Sequence, residues 1–355
     1  MDTLRPIHTE VTECQDCYKC VRGCPVKAIR IENGSAMVMH EYCLLCGHCV
    51  TVCPVGAKRV RFDGSRARQL LRLRERVYFS LAPAWASNFP GVSEGQIVRA
   101  IKRLGFAGVS ETALGAELVS AAVSDLLGGS EKRRVVISSA CPAVVNLIEK
   151  FHPRLVPALT ALASPVIAHA RLLRNLYGND IGVVFASPCI AKKGEADADS
   201  ATLDIALTFS ELVAWFEKEG IVPDSITPGE DDVFVPRRAR AGRLYPVDGG
   251  MLAGVRADTP VTDATMMSFS GLAQIEKALT GLDAIGGEGA LFLELLACEG
   301  GCVNGPEAVR HGEIAGSGVF RYNGQTDVPL TQQGLGQYHL LAERLSDKPV
   351  SACYT

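Results

Sequence analysis

The sequence predicts an α/β protein of two lobes with mostly parallel sheets, preceded by a small α+β unit rich in cysteine. Three observations predict it. Of thirteen cysteines, eight fall within the first 53 residues, in two similar runs. From Val77 onward, short apolar runs alternate with helix-period segments, the pattern of strands joined by crossover helices. The runs "RVVISS" (134–139) and "IGVVFAS" (181–187) are continuous rather than alternating, as strands covered on both faces require. A length of 355 residues leaves room for two or three domains and a large core. Hydrophobic content of 47% and charge content of 21% suit a globular protein, and a net charge of −3 offers no basic field for nucleic acid. The opening residues lack the apolar core of a secretory signal, and no run approaches the ~20 apolar residues of a membrane span.

The first cysteine run, "CQDCYKCVRGCP", supplies Cys14, Cys17, Cys20 and Cys24; the second, "CLLCGHCVTVCP", supplies Cys43, Cys46, Cys49 and Cys53. Each reads C-x2-C-x2-C-x3-C-P, the run of bacterial two-cluster ferredoxins. Three close thiolates wrap one face of a cubane and the fourth reaches the neighbouring cluster. Cys14, Cys17, Cys20 and Cys53 are therefore expected to hold one [4Fe-4S] cluster, and Cys43, Cys46, Cys49 and Cys24 the other. Zinc or disulfides are the alternatives, but neither calls for this doubled run. Two adjacent clusters imply electron relay. The segments "CVRGCPVKAIRIENG" and "CVTVCPVGAKRVRFDG" align cysteine to cysteine. Each is expected to run from its last cysteine through a helical turn into a strand ending near Gly34 or Gly64. The ferredoxin-like domain is placed at residues 1–63, a linker helix with a solvated basic face at 64–76, and the two-lobed domain at 77–355.

In that third part, "VYFSLAPAW" (77–85) reads as a strand ending in a turn, and "EGQIVRAIKRLGF" (94–106) as an amphipathic helix. "SPVIAHARLLRNLYG" (164–178) reads as a helix closed by Gly178. Ligands of parallel sheets bind beyond the carboxyl ends of the strands, and cysteines sit at those ends. Cys141 follows "VVISS", Cys189 follows "IGVVFASP", and Cys298 and Cys302 lie in "ELLACEGGCVNG". Four cysteines from three loops are expected to converge on a third metal centre; the alternative is that Cys141 and Cys189 are core thiols. The stretch "PDSITPGEDDVFVPRRARAGR" (223–243) reads as a surface loop, the histidines show no metal spacing, and Cys353 reads as a free thiol.

These segments resemble the three signature motifs of the [FeFe]-hydrogenase family. Where the family has T-S-C-C-P, this chain has "SSACP" (138–142); for M-P-C-x-x-K-K-x-E it has "SPCIAKKGE" (187–195). For E-x-M-A-C-P-G-G-C-x-x-G it has "ELLACEGGCVNG" (294–305). "SLAPA" (80–84), "IEKFHP" (148–153) and the Gly-Gly turn in "GRLYPVDGGML" (242–252) are weaker echoes. The resemblance implies an H-cluster, a [4Fe-4S] cubane joined by a cysteine sulfur to a diiron unit carrying CO, cyanide and azadithiolate. By motif position Cys141, Cys189 and Cys298 bind the cubane, and Cys302 both binds and bridges. Lys192 matches a lysine that hydrogen-bonds a cyanide, and Ala82, Pro83, Ser187 and Pro188 match residues lining the diiron unit. The implied reaction is reversible H2 oxidation to protons, split heterolytically at the distal iron with the bridgehead amine as base. Electrons would leave through the cubane and the two ferredoxin clusters to a carrier such as ferredoxin or a redox partner protein.

The chain departs from the family where protons move. Ala140 stands where fast members carry a second cysteine, whose thiol relays protons between the bridgehead amine and a carboxylate path. A positioned proton-transfer group contributes roughly 10²–10⁴-fold, so turnover is expected to fall by that order. Ala122 falls where a relay glutamate is expected, with Asp125 near a second relay acid. Ser187 and Leu296 replace two methionines, Glu299 replaces a proline, and the Ser187 hydroxyl is expected to reach a CO or cyanide. Retained ligands with a lost proton wire resemble the sensory branch of the family. The competing readings are a non-catalytic iron–sulfur electron-transfer or assembly protein without a diiron unit, and a fast hydrogenase with another proton route. The expected setting is an anaerobe's cytoplasm, with H-cluster maturation proteins as partners. With no sensory-transmitter segment recognisable, any signal is expected to pass to a signalling partner.

Overall fold

The computed structural model describes residues 5–129, 135–258, 264–282 and 290–309; Cys353 and the remainder of the domain expected to reach residue 355 lie outside them. The amino-terminal unit consists of two antiparallel strand pairs around the cysteine loops. Strand β1 (Ile7–Thr9) precedes helix α1 (Lys19–Gly23), and β2 (Ile29–Glu32) turns into β3 (Ser35–Val38). Helix α2 (His48–Thr51) then leads to β4 (Lys58–Val60), which pairs with β1 as β2 pairs with β3. Asn33 and Gly34 take φ of 50° and 73°, the left-handed turn that a two-residue hairpin needs. The sequence places the helical turns after the last cysteine of each run; the fold places them before it. A C-x3-C spacing is one helical turn, closed by Cys24 N–H donating to Cys20 O at 3.0 Å, and the proline that follows has no N–H to extend it.

Helix α3 (Gly64–Leu73) links this unit to the rest. Its basic face is partly tied down, with Arg66 on Asp63 at 2.8 Å and Arg68 over the Trp215 ring at 5.6 Å. The chain then alternates through β5 (Val77–Leu81), α4 (Trp85–Asn88), α5 (Glu94–Arg103), β6 (Gly108–Glu111), α6 (Ala113–Gly128) and β7 (Val135–Ile137). It continues with α7 (Pro142–Phe151), α8 (Pro165–Tyr177), β8 (Gly182–Ser187), α9 (Ala191–Ala198), β9 (Ile205–Thr208) and α10 (Phe209–Lys218). Helix α11 (Gly250–Asp258), β10 (Ala264–Ser270), α12 (Leu272–Gly281) and β11 (Ala290–Leu296) complete the described fold.

Two parallel sheets result, ordered β6-β5-β8-β9 and β10-β11-β7, one per lobe, as the apolar runs predict. Every residue of the first sheet's four strands is buried. Capping boxes at Ser93/Gln96 and Thr208/Glu211 start α5 and α10. Gly178 at φ 104° ends α8 as expected, while α5 stops three residues early because Gly105 takes φ 104°. Strand β7 ends at Ile137, since Ser139 N–H leaves the ladder for Thr160 Oγ1 at 3.1 Å.

Segment 223–243 is a strap, not a free loop. Asp232 is gripped by Arg99 (3.0 Å) and Lys102 (3.1 Å), and Val235 N–H donates to Val109 O at 2.9 Å. Arg237 pairs with Glu117 and Arg238 with Glu94, at 2.8 and 2.7 Å. Its charges therefore hold it to α5, β6 and α6.

The amino-terminal unit and the lobes exchange apolar residues. Leu44, from the second cysteine loop, is buried with Val144, Leu147 and Ile148 of α7, whereas Ile190 is buried among the ferredoxin-like core. A Cβ on Gly47 would lie 2.5 Å from the Pro306 side chain, so glycine permits this approach as well as its φ of 79°. Beside it, the fully buried Lys193 ammonium binds Asp63 (2.9 Å) and Glu211 (2.7 Å). Burial pushes the Asp63 carboxyl up, but Lys193, Arg66 and Arg61 outweigh it and hold it below the ordinary range.

Candidate iron–sulfur and catalytic site

The amino-terminal thiols sort into two groups. Cys20 has Cys14 and Cys53 as charged neighbours, and a cavity is lined by Cys14, Cys17, Cys20 and Cys53 together. Cys49 neighbours Cys46, Cys43 and Cys24. These are the two sets drawn from the spacing. Burial pushes Cys20 and Cys43 up, Cys46 up to about 12, and Cys49 further. At Cys53 burial also raises the thiol, but backbone N–H groups of Lys58, Val55, Ala57 and Gly56 outweigh it and hold it below its ordinary value. Backbone N–H groups also point at sulfur elsewhere, with Ala28 on Cys24 at 3.2 Å and Leu45 on Cys43 at 3.4 Å. Such donors stabilise cluster-bound thiolates.

The second site is built at carboxyl ends of both sheets. Cys141 caps α7, with Pro142 at the first helical position, where a missing N–H costs nothing. Ser187 ends β8, and its hydroxyl accepts from Cys189 N–H at 3.2 Å, turning the chain towards α9. The third loop packs against the others because it has glycines. A Cβ at Gly301 would lie 2.4 Å from Pro246 O, and one at Gly305 would lie 2.5 Å from Pro188 O. Ala82 N–H donates to Ala186 O at 3.0 Å, which sets the Ala82–Pro83 turn beside the end of β8.

Cys298 has Cys189, Cys302 and Cys141 as charged neighbours, and beyond them Cys46 of the amino-terminal unit. Burial pushes Cys189 up to about 11, with Cys141 adding, and pushes Cys298 and Cys302 further. Four clustered, half-buried thiolates are costly unless a cation compensates them. Soft anionic donors in this number suit an iron–sulfur cubane. No disulfide joins the twelve described cysteines.

Lys192 is buried and its charge favours thiolate at Cys189 and Cys302, against burial. Its ammonium donates to Glu195 Oε2 at 2.6 Å and Ser164 Oγ at 3.1 Å. An ammonium has three donors, so one remains for a further acceptor. Lys192 therefore fits a role toward an anionic ligand in this pocket, and the thiol set fits a cubane. The Ser187 oxygen is engaged as an acceptor, which leaves its own O–H to donate.

Ala140 packs against a buried cluster to which Ala116, Val119 and Val123 of α6, Met251 and Val255 of α11, and Val136 and Phe292 of the sheet belong. That side of the site is apolar; Ala122 is half-buried and Asp125 is exposed. Leu296 is buried at the end of β11, and Glu299 is exposed. Sequence reasoning missed Glu294, a buried carboxyl in β11 that neighbours Cys302. Burial pushes it up to about 7, and Asp248 adds, against N–H donors from Met251 and Leu252. A lone carboxylate inside "ALFLELL" was the available clue. Ser164 and Glu195, which hold Lys192, were also missed.

Residues 75–306 match the family described as iron-only hydrogenase large subunit, C-terminal domain, and residues 6–68 match a 4Fe-4S dicluster domain. Residues 308–355 match the histidine phosphatase superfamily (branch 1). The periplasmic [Fe] hydrogenase large subunit of Nitratidesulfovibrio vulgaris is 26% identical over 282 residues, spanning 64% of this chain and 66% of that protein. Iron hydrogenase 1 of Clostridium pasteurianum is 25% identical over 256 residues, 59% of this chain and 45% of that protein. The cytosolic Fe-S cluster assembly factor nar1 of Aspergillus terreus is 32% identical over 147 residues, 32% of this chain and 24% of that protein. The chain thus spans less than two thirds of these relatives' lengths. Among solved structures, an [FeFe]-hydrogenase HydA1 from Chlamydomonas reinhardtii aligns with a TM-score of 0.56 at 20% identity, covering 78% of this chain and 88% of that one. That likeness is one of fold.

Proposed function

This chain belongs to the iron-only hydrogenase large-subunit family, and on that premise we propose that it holds an H-cluster and interconverts H2 and protons slowly, as a sensor of H2 or redox state. One observation carries the reading. Four thiols neighbour one another with Lys192 beside them, the Ala82–Pro83 turn hydrogen-bonds the end of β8 that leads to Cys189, and the residue before the first thiol is a methyl against an apolar cluster. Cys141, Cys189, Cys298 and Cys302 would hold the H-cluster, which when bound supplies iron for H2 cleavage and an amine base. Lys192, held by Glu195 and Ser164, would orient a cyanide, with Ala82, Pro83, Ser187 and Pro188 lining the same ligand. Ala140 can neither hold nor pass a proton, which supports low turnover.

The amino-terminal thiols would hold two [4Fe-4S] clusters that pass electrons to a carrier such as ferredoxin near the exposed Cys17. The nearness of Cys46 to Cys298 supports that route. No helix among the described residues is long and apolar enough to cross a membrane; a cytoplasmic site and dedicated maturation proteins belong to the same reading. Domain limits of 1–63 and 64–76 belong to the same reading, while the family matches at 75–306 and 308–355 favour ending the two-lobed domain near residue 306 rather than at the expected 355.

The likeness to assembly factors favours a second reading, with a cubane and no diiron unit. Infrared spectroscopy after maturation separates the two. Bands of iron-bound CO and cyanide, with measurable H2 oxidation, are expected; iron-replete protein lacking those bands would leave the second reading.

A further inference from the structure

The two halves of the amino-terminal unit differ at one buried position. The runs continue as "CPVKAI" and "CPVGAK", so Lys58 corresponds to Ile29. Ile29 faces Val38 across β2 and β3, and Lys58 faces Thr9 across β4 and β1. All four are buried, Lys58 at 3% exposure. One half therefore has an ammonium and a hydroxyl where the other has an apolar pair.

The Lys58 ammonium donates to Thr9 Oγ1 and Ala36 O, both neutral oxygens. A buried ammonium is costly without an anionic partner. Lys58 also lines the cavity bounded by Cys14, Cys17, Cys20 and Cys53. Its charge favours thiolate at Cys20, where only burial has a larger effect, and it acts more weakly among the influences on Cys43 and Cys49.

We infer that Lys58 is the counter-charge of the cluster held by Cys14, Cys17, Cys20 and Cys53, and that it raises that cluster's reduction potential. The inference rests on the proposed assignment of these thiols to a cluster. Reduction adds one electron, supplied by H2 in the proposed reaction; no bond at Lys58 forms or breaks. The added negative charge meets a buried ammonium instead of an aliphatic side chain. Because Cys17 is exposed, the electron then rests on the surface-facing cluster, where an acceptor can take it.

The test is a dithionite redox titration followed by electron paramagnetic resonance, on the full chain carrying its iron–sulfur clusters before diiron maturation. In Lys58→Gln one ferredoxin-type signal is expected at a more negative potential, and the other is expected to move less. Lys58→Met, which keeps the apolar stem, reads the same shift if the glutamine variant loses iron. Unchanged potentials in a variant with wild-type iron content overturn the inference, as does an equal shift of both signals. Wild-type protein showing no ferredoxin-type signals would instead refute the cluster assignment, and the inference with it.

Discussion

In the proposed reading, one methyl group at Ala140 separates metal binding from proton transfer. The neighbouring Cys141 keeps its place at the start of α7, while Ala140 itself lies against an apolar cluster shared by α6, α11 and the sheet. Ala140→Cys is expected to raise the H2 oxidation rate of matured protein by roughly 10²–10⁴-fold. An unchanged rate would show that the methyl is not what limits turnover. Gly305 is the corresponding constraint on geometry. Gly305→Ala would put a Cβ into Pro188 O, so the third loop must move. A loss of about 1–3 kcal/mol of stability is expected from such overpacking, together with less iron bound per chain at Cys298 and Cys302.

Among the elements, α9 and α8 are each fixed by a buried polar group. Lys193 ties α9 to the end of the ferredoxin-like unit through Asp63 and to α10 through Glu211. Lys193→Met takes the cation from buried Glu211 and leaves Asp63 to Arg61 and Arg66, and denaturant unfolding should show a loss of roughly 3–5 kcal/mol. On α8, His169 sits between Ser80 and Ser110, which are paired across β5 and β6, with 2.8 Å to each ring nitrogen. Burial holds the imidazole down at about 3. The unfolded chain takes up this proton below about pH 6.5, whereas the folded chain resists it. Its contribution is therefore complete above that pH and is lost as pH falls. As pH falls from 6.5 to 5 the wild type should lose stability faster than His169→Gln, the difference rising towards about 1.4 kcal/mol per pH unit. Equal slopes would mean that the folded imidazole is protonated after all.

Across the whole molecule, the two regions depend on iron to different extents. The amino-terminal core is made largely of Cys20, Cys24 and Cys49 with Ile7, Ile29 and Val38. The first lobe has a large aliphatic and aromatic core of its own, around Phe79, Ile97, Ile101 and Phe209. Chelation of iron is expected to unfold the former and leave the latter, because metal binding contributes folding free energy where the core is small. Hydrogen exchange should then show protection lost in β1–β4 and kept in β5, β6 and β8. Uniform loss would mean that the regions fold as one unit.

The sequence alone determined what local chemistry and periodicity encode. The doubled cysteine spacing defined both thiol sets, the continuous apolar runs defined the parallel strands, and "SSACP" showed a methyl before Cys141. A C-x3-C step is also a helical turn, so the turn was misplaced by one interval although its existence was legible. Only the tertiary structure decided what depends on residues distant in sequence. It turned segment 223–243 from a loop into a strap, because Asp232 and Arg237 find partners on α5 and α6. It buried Lys58, Lys193, His169 and Glu294, whose charges and hydrogen bonds have meaning only beside their neighbours. Composition does not reveal burial, because it is set by which faces meet when the sheets and helices pack.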